Sequence, residues 1–301
     1  MTGFSERFGM SLRFGIHTGQ QYCQFSELLE LWKNAEDLGY DWASVFDHFI
    51  PIFAPPEGPC FEGLTALAAL AQATQRLTCG IIVTGVTYRN PVLLAKSAVT
   101  IDHISGGRME LGIGAAWHDI EHDQYGFDFP SVGTRMDMLE EASHIVQALF
   151  KEDRPSFQGK HFKISDALFL PKPVQRTIPL WIGGGGEKRT LKAVARYADG
   201  WNYFMTTPEE YRHKLNVLQE HCRNEKREPG TIRQGMIVRA VLDQNVEAPD
   251  DKTFVGSSQE FVKKLIPYRD MGVKDFLLLA RPPADKTTLE AFINRVATAL
   301  R

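Results

Sequence analysis

The chain has 301 residues, is 43% hydrophobic and 24% charged, and carries a formal net charge of -3 at pH 7. Charges of both signs are interspersed, which argues against the concentrated basic face that nucleic-acid binding needs. Residues 1–10 contain no apolar core of signal-peptide length, and no later run approaches the length of a membrane span. We therefore expect a cytoplasmic protein with no nucleic-acid or membrane partner.

Short apolar runs alternate with longer segments of helical period from one end of the chain to the other. Eight runs are predicted to be strands, each followed by a helix: 12–17, 42–47, 77–84, 109–113, 179–182, 200–204, 235–242 and 275–280. Consecutive strand-helix units without a linker favour a closed barrel over an open doubly wound sheet. The sequence therefore predicts an α/β fold, a (β/α)8 TIM barrel that forms one domain over residues 1–301.

Helix boundaries are marked by residues that favour helix ends. The first helix is predicted over Phe25–Leu38, with an apolar stripe on one face, and Gly39 suits the left-handed position after it. Thr207 and Ser257 each precede a Glu by three residues, which predicts capping boxes at the start of two further helices.

Two stretches do not fit the repeating unit: 115–133 after the fourth predicted strand and 154–174 before the fifth. The second contains an alternating segment, 156–162, which indicates a hairpin that turns at Gly159. Long ordered loops in a compact domain are usually lids or binding walls. We therefore predict insertions at the rim of the barrel.

Catalytic residues of such barrels lie where the strands end at their carboxyl side. The first four predicted strands end in or lead to His17, Asp47, His48, Thr84, Gly85, Val86, Thr87, Trp117 and His118. A shared pocket explains these residue types better than solvent-facing turns do. Asp47 and His48 are the best catalytic candidates, because a carboxylate beside an imidazole can hold a tautomer or tune proton transfer. The alternative is that Asp47 caps a helix and His48 is merely packed.

Four consecutive glycines follow the fifth predicted strand and precede a helix that begins with two cations. The residues concerned are Gly183, Gly184, Gly185, Gly186, Lys188, Arg189 and Thr190. Glycines let the backbone approach an anion, and the first amides of a helix have no partner within it. The run therefore predicts a phosphate-binding loop, although a flexible turn would have the same composition.

His118, Glu121 and His122 match the H-x-x-E-H pattern of one class of zinc peptidase. If the segment is helical, the two histidines share a face and a metal with an activated water becomes conceivable. The motif stands in a barrel loop among phosphate-site signals, which favours a wall of a cofactor pocket. We expect no metal site and keep a zinc hydrolase as a distant alternative.

Four segments carry a resemblance that covers nearly the whole chain: SVFDHF at 44–49, VTGVTYRNP at 83–91, SGGRMELGIGAAW at 105–117, and the glycine run with ADGWN at 198–202. Together they resemble the luciferase-like monooxygenase superfamily, and within it the bacterial oxidoreductases that use the deazaflavin coenzyme F420. The resemblance implies a barrel, and it implies that Asp47 and His48 lie against the deazaflavin ring with His48 as a proton acceptor.

The resemblance also implies roles for further residues. The Gly85-Val86 pair matches a site behind the ring where relatives often have a non-proline cis peptide, and Thr84 is expected to contact the cofactor beside it. Lys188, Arg189 and Thr190 would join the glycine amides on the coenzyme phosphate, with the guanidinium making paired bonds to its oxygens. Arg89, Lys192 and Arg135 are the basic residues available for the oligoglutamate tail.

One departure from the superfamily concerns the segment after the fourth strand. Sugar-phosphate dehydrogenases of this superfamily have a catalytic glutamate there, whereas this chain has Trp117 and His118 and its Glu121 is displaced by a turn. We therefore do not predict sugar-phosphate oxidation. Trp117 would cover a planar ring or substrate. His17, His118 and Glu121 are secondary candidates for orienting the substrate or assisting catalysis.

These patterns predict an oxidoreductase that transfers a hydride between F420 and a small organic substrate. An FMN-dependent monooxygenase on the same barrel is the nearest alternative, since both cofactors carry a phosphate on a ribityl chain. A sensor that keeps the cofactor site without turnover is a further alternative. Relatives commonly dimerise, which leaves a homodimer open.

Overall fold

The computed structural model describes residues 11–301, so the segment 1–10, predicted to lack a signal-peptide core, lies outside the described residues. Its strands are β1 (Arg13–Thr18), β2 (Trp42–Val45), β3 (Thr78–Gly85), β4 (Met109–Gly114), β5 (Phe157–Gln158), β6 (Lys163–Ile164), β7 (Leu180–Gly183), β8 (Gly200–Phe204), β9 (Arg233–Val238), β10 (Ala240–Leu242), β11 (Phe254–Gly256) and β12 (Val273–Ala280). Eight of them close a parallel barrel in the order β1-β12-β9-β8-β7-β4-β3-β2. The predicted (β/α)8 TIM barrel is confirmed.

The helices pack around the barrel and begin and end close to the predicted signals. They are α1 (Phe25–Leu38), α2 (Gly63–Ala73), α3 (Pro91–Ile104), α4 (Asp119–Tyr125), α5 (Val132–Lys151), α6 (Thr190–Tyr197), α7 (Pro208–Asn224), α8 (Ser258–Asp270) and α9 (Lys286–Ala291), which continues as a π-helix over Phe292–Ala297 and an α-helical turn over Thr298–Leu300. A short 3-10 helix covers Pro229–Thr231. Gly39 has the left-handed conformation after α1, with φ 87°. Ser257 forms the complete predicted capping box, whereas Thr207 accepts the Glu210 amide without the reciprocal bond. Among the described residues, no helix is both long and apolar enough to cross a bilayer.

Both predicted insertions are present. The first contains α4, and the second forms the β5-β6 hairpin, which turns at Gly159 as predicted. Glu141 of α5 fixes this hairpin, because its carboxylate accepts the amides of Lys160, His161 and Phe162 at 2.7, 3.0 and 2.8 Å. A Cβ atom at Gly159 would collide with that carboxylate.

The seventh predicted strand, 235–242, is interrupted in the structure. β9 ends at Val238, and β10 leaves the barrel to pair with β11 as a separate two-stranded parallel sheet. Arg239 stands at the break, where its carbonyl accepts the Phe254 amide at 3.0 Å and its guanidinium approaches Asp250 at 3.3 Å. The prediction of one continuous strand was wrong because the partner strand β11 could not be recognised from the local pattern.

The barrel interior is filled by an apolar layer above a layer of charges. Trp42 and Trp181 stack with ring centroids 5.6 Å apart, in a buried cluster with Ile82, Ile237 and Leu277. Near the amino ends of the strands, Arg13, Glu110, Arg233 and Asp275 form a buried ion cluster. These layers close the barrel below, so its open end is the carboxyl side of the strands, here called the mouth.

Candidate active site

His48 and Glu121 form a buried pair at the mouth. His48 follows the end of β2, and its Nδ1 lies 2.8 Å from Oε2 of Glu121, which α4 supplies. The same carboxylate accepts the Tyr88 hydroxyl at 2.7 Å and the Ile50 amide at 3.0 Å, as well as the Phe49 amide. Glu121 lies about one helical turn beyond the position of the superfamily glutamate, and from there its carboxylate reaches the His48 ring.

The hydrogen bonds to Glu121 determine its charge. Burial alone would raise the pKa of its carboxyl, but the bonds from His48, Tyr88 and the Phe49 amide outweigh burial and lower the pKa to about 2. An ionised carboxylate can only accept, so His48 donates its Nδ1 proton to Glu121. The Nε2 atom of His48 has no hydrogen-bond partner within residues 11–301 and is the nitrogen left for chemistry. Glu121, predicted as a catalytic residue, contacts His48 through this bond, and its role in catalysis stays a prediction.

The charge of Glu121 gives a pH-dependent contribution to stability. Its pKa is lower in the folded chain than the ordinary value of 4.5, so its stabilisation is complete above that value and is lost as pH falls towards about 2. We expect Glu121→Gln to be less stable at pH 6 and to lose less free energy of unfolding between pH 5 and pH 3 than the unaltered protein. Urea unfolding at each pH measures both. Glu30→Gln, at an exposed position of α1, is the control, and equal pH slopes for Glu121→Gln and the unaltered protein would contradict the assignment.

Asp47 belongs to a different cluster from His48. One of its oxygens accepts Nη2 of Arg89 at 3.1 Å, and the other accepts Nη1 of Arg89 and the Thr84 hydroxyl. Arg89 also binds Glu62. Burial raises the pKa of Asp47, and Arg89 and Thr84 oppose that rise. The cofactor contacts of Asp47 and Thr84 stay predictions, and in this structure the polar atoms of both side chains are engaged within the cluster, as a buried carboxylate requires. Arg89 is consequently not available to a cofactor tail.

His17 lies at the end of β1 and is neutral at ordinary pH. Its Nδ1 is 2.9 Å from the Ser44 hydroxyl. Burial, and after it the proximity of Arg239 and His48, lowers the pKa of His17 to about 3. The ring of Phe46 lies 6.3 Å from His17 and 5.6 Å from His48, measured between centroids, so the two histidines share one wall. The structure thus brings the predicted His17 beside the proposed base.

Trp117 and His118 also lie beside His48. The ring centroids of Trp117 and His118 are 5.5 and 5.7 Å from that of His48. Trp117 is 62% exposed, which is unusual for so large an apolar ring and leaves one surface for a partner. His118 precedes α4 and is half-buried, and burial lowers its pKa. The structure therefore brings together His48, Trp117 and His118, which the sequence assigned to one pocket.

The zinc alternative is wrong. Nδ1 of His122 lies 2.7 Å from the His118 carbonyl oxygen and Nε2 lies 2.6 Å from the Thr87 hydroxyl, so both ring nitrogens are engaged. Glu121 is directed to His48 instead. Within the part of the chain that the structure describes, no three His, Cys, Asp or Glu side chains are arranged to hold a metal.

The glycine loop after β7 presents unpaired backbone amides. Within residues 11–301, the amides at positions 185–189 donate to no protein acceptor. Gly184 has φ 113°, and a Cβ atom at Gly185 would lie 2.6 Å from the Tyr203 ring, so side chains are disfavoured at both positions. Lys188 is exposed and forms no ion pair with any described residue. These features, with Gly183 and Gly186 at the ends of the run, suit an anion with several oxygens.

Arg189 does not point towards the loop. Its guanidinium contacts Asp137 at 2.7 Å and Glu140 at 2.6 Å, both on α5. The paired bonds predicted from this side chain to a phosphate would require it to leave the two carboxylates that occupy its donors. The Thr190 hydroxyl likewise turns to α5 and donates to the sulfur of Met136 at 3.8 Å. The Thr190 side chain nevertheless lies against the loop, because a Cβ atom at Gly186 would be 2.7 Å from its hydroxyl oxygen.

The cis peptide lies elsewhere in β3 than predicted. It joins Ile82 to Val83, whereas the prediction placed it at Gly85-Val86. Gly85 keeps parallel pairing with Gly114, and the Val86 amide donates to the Gly114 carbonyl at 3.0 Å. The register shift against β4 falls between Ile81 and Thr84, so the irregular backbone precedes the glycine.

Comparisons with known proteins agree with this architecture. The family model of the luciferase-like monooxygenases matches residues 6–284. An F420-dependent glucose-6-phosphate dehydrogenase of Microbacterium testaceum is 30% identical over 68% of this chain and 60% of its own length, and the matched regions span 49% to 60% of the curated relatives.

Solved structures share the fold at low identity. An F420-dependent secondary alcohol dehydrogenase with an F420-acetone adduct has a TM-score of 0.85 at 21% identity, covering 97% of this chain and 99% of that one. The F420-dependent tetrahydromethanopterin reductase of Methanopyrus kandleri has a TM-score of 0.80 at 18% identity, covering 97% and 100%. A long-chain alkane monooxygenase has a TM-score of 0.79 at 13% identity, covering 96% and 91%. The match over residues 6–284 shows that this chain belongs to the luciferase-like monooxygenase family.

Proposed function

We propose that the protein is an oxidoreductase that binds coenzyme F420 and transfers a hydride between this cofactor and a small organic substrate. The observation that carries the proposal is the His48-Glu121 pair at the mouth, since it provides an oriented imidazole beside an exposed tryptophan. Relatives named as F420-dependent dehydrogenases support the choice of cofactor. F420 supplies the carbon that gives or takes the hydride, and the protein supplies binding, orientation and a proton acceptor.

The glycine loop fits the phosphate of such a cofactor. A phosphate is rich in acceptor oxygens, and positions 185–189 offer amides that have no other acceptor among residues 11–301. Lys188 can add a charge-assisted hydrogen bond, because no described carboxylate competes for it. We assign phosphate binding to these amides and Lys188, and we withdraw the Arg189 side chain from this role.

The residues at the mouth have distinct tasks in the proposed reaction. Because Glu121 fixes the Nδ1 proton, His48 presents Nε2 as the atom that accepts or returns the proton coupled to hydride transfer. Trp117 provides a flat apolar wall that excludes water from the reacting atoms. His17, which is neutral, orients the substrate through a hydrogen bond without adding charge.

Titration of the purified protein with F420 and with FMN tests the proposal. We expect saturable binding of F420, seen as a change in its absorbance, and much weaker binding of FMN. Tight FMN binding with oxygen-dependent turnover would instead establish the monooxygenase alternative. Saturable F420 binding with no hydride transfer to any carbonyl or alcohol in a broad substrate panel would favour a sensor.

Removing the charge of Lys188 should weaken cofactor binding. We expect Lys188→Gln to raise the dissociation constant of F420 roughly tenfold, as loss of one charge-assisted hydrogen bond predicts. The hydride-transfer rate at saturating F420 should stay unchanged. Lys33→Gln, at an exposed position on α1, is the matched control. Equal affinities for the two variants would show that the phosphate is not bound beside Lys188.

A further inference from the structure

Arg239 and Arg281 lie at the mouth, just beyond the carboxyl ends of the neighbouring strands β9 and β12. Ile237 of β9 and Leu277 of β12 belong to the buried interior cluster. Side chains along a strand alternate between faces, so the positions two and four residues further on point the same way. Arg239 and Arg281 occupy such positions directly beyond the strand ends. The barrel thus places both guanidiniums at the edge of the active-site opening.

A cavity of about 370 Å³ lies between these arginines and the loops after β1 and β2. Its lining includes Gln21, Ala54, Asp250 and Asp285 as well as the two arginines. The Phe53 ring lies beside both guanidiniums, with its centroid 5.2 Å from Cζ of Arg239 and 6.0 Å from Cζ of Arg281. The cavity therefore has a polar, arginine-bearing side held in place by an aromatic ring.

The two arginines that line the cavity differ in their partners: Arg239 has a carboxylate partner, and Arg281 has only a backbone carbonyl among residues 11–301. Asp250 pairs with Arg239 at 3.3 Å, and Asp285 accepts the Thr287 and Thr288 amides at the start of α9. Arg281 donates to the Phe53 carbonyl at 2.7 Å and has no carboxylate partner among residues 11–301. Gln21 is 2% exposed, its Oε1 accepts the Ile52 amide at 2.9 Å, and its Nε2 has no hydrogen-bond partner in the described chain. Nε2 of Gln21 and the guanidinium of Arg281 thus lack an anionic partner among residues 11–301, and Asp285 lacks a cationic one.

The cavity adjoins the wall of the proposed active site, although His17, Phe46 and His48 do not line it. Arg239 is close enough to His17 for its charge to lower the pKa of that imidazole. The Phe46 ring lies 5.6 Å from His48 and 5.9 Å from Phe53, measured between centroids, so it links the base to the arginine-bearing wall. In the barrel order, β9 and β8 separate β12 from β7, which carries the glycine loop. The arginines consequently face the mouth from a different side than the phosphate loop does.

We propose that this cavity binds an acidic group of the substrate, a carboxylate or phosphate, through Arg281 and Arg239. The inference rests on the proposed function and specifies its substrate class as small organic acids or phosphate esters other than sugar phosphates, which are not expected because Trp117 and His118 stand where the sugar-phosphate dehydrogenases have a glutamate. A planar guanidinium can bind the oxygens of either group in pairs. Arg281 provides the uncompensated charge, and Arg239 shares its charge with Asp250.

Isothermal titration of F420-saturated protein with benzoate and inorganic phosphate tests this subsite, with benzamide as the neutral counterpart of benzoate. Saturating F420 keeps the probes away from the glycine loop. We expect benzoate or phosphate to bind, benzamide to bind at least tenfold more weakly than benzoate, and Arg281→Gln to weaken anion binding at least tenfold. Arg154→Gln, at an exposed ion pair on the hairpin insertion, should match the unaltered protein. Binding of neither anion, or equal binding to Arg281→Gln, would overturn the proposal.

Two further titrations distinguish failure of this subsite from failure of the proposed function, and distinguish the substrate from the cofactor tail as the ligand of the cavity. If F420 does not bind, the same titration of the cofactor-free protein still reports on Arg281, so an Arg281-dependent signal would retain the subsite while the proposed function fails. Anion binding that is blocked by F420 carrying its glutamates but not by F420 without them would assign the cavity to the tail and overturn the substrate assignment.

Discussion

Replacing His48 by alanine should slow hydride transfer by about 100- to 10,000-fold, the range that a positioned proton-transfer group contributes. The dissociation constant of F420 should change by less than about threefold, because the phosphate is assigned to the glycine loop and not to the imidazole. Single-turnover absorbance of bound F420 gives the transfer rate, and equilibrium titration gives the affinity. His144→Ala, at an exposed position on α5, is the matched control.

The contact between Glu121 and His48 provides a second test of the role of His48. If His48 acts through Nε2, Glu121→Gln should also slow transfer, because a neutral amide no longer fixes the Nδ1 proton and can present its own N-H to the ring. The effect should be smaller than for His48→Ala, and the pH profile of transfer should shift. An unchanged rate in His48→Ala would remove the histidine from the reaction, and loss of F420 binding would make its role structural.

The barrel could be predicted from the alternation of apolar and helical segments, and the location of the site residues could be predicted from the strand ends that precede them. The alternation of apolar runs and helical segments reflects the parallel barrel directly, since buried parallel strands need apolar side chains and each needs a crossover helix. Residues after the strand ends converge because the topology brings those ends together. His17, His48 and Trp117 were found in this way, and the structure places them along one wall.

The partners of those residues could not be predicted, because they depend on how separate elements pack. Glu121 reaches His48 only because α4 has a particular orientation against the loop after β2. Arg189 turns away from the glycine loop because α5, which lies about 50 residues earlier, presents Asp137 and Glu140. Tyr88 lies in the motif at 83–91, where no local pattern indicates that its hydroxyl binds Glu121.

The ion cluster below the mouth should determine much of the stability of the barrel. Asp275 accepts Nε of Arg13 at 2.5 Å and also binds Arg233, and all three side chains are buried. Oε1 of Glu110 accepts a hydrogen bond from Nη1 of Arg13 at 2.7 Å. Removing one partner from such a cluster leaves a buried cation without compensation, which costs more than the attraction of the intact pair provides.

We therefore expect Asp275→Asn to lower the free energy of unfolding by about 3–5 kcal/mol, measured by urea denaturation at pH 7. Asp270→Asn, whose carboxylate is exposed at the end of α8, should change it by less than about 0.5 kcal/mol. A loss below about 1 kcal/mol for Asp275→Asn would show that water or a shifted arginine compensates the charge. Because Asp275 lies near the amino end of β12, F420 affinity of the folded variant should not change, which separates the stability of this layer from the chemistry at the mouth.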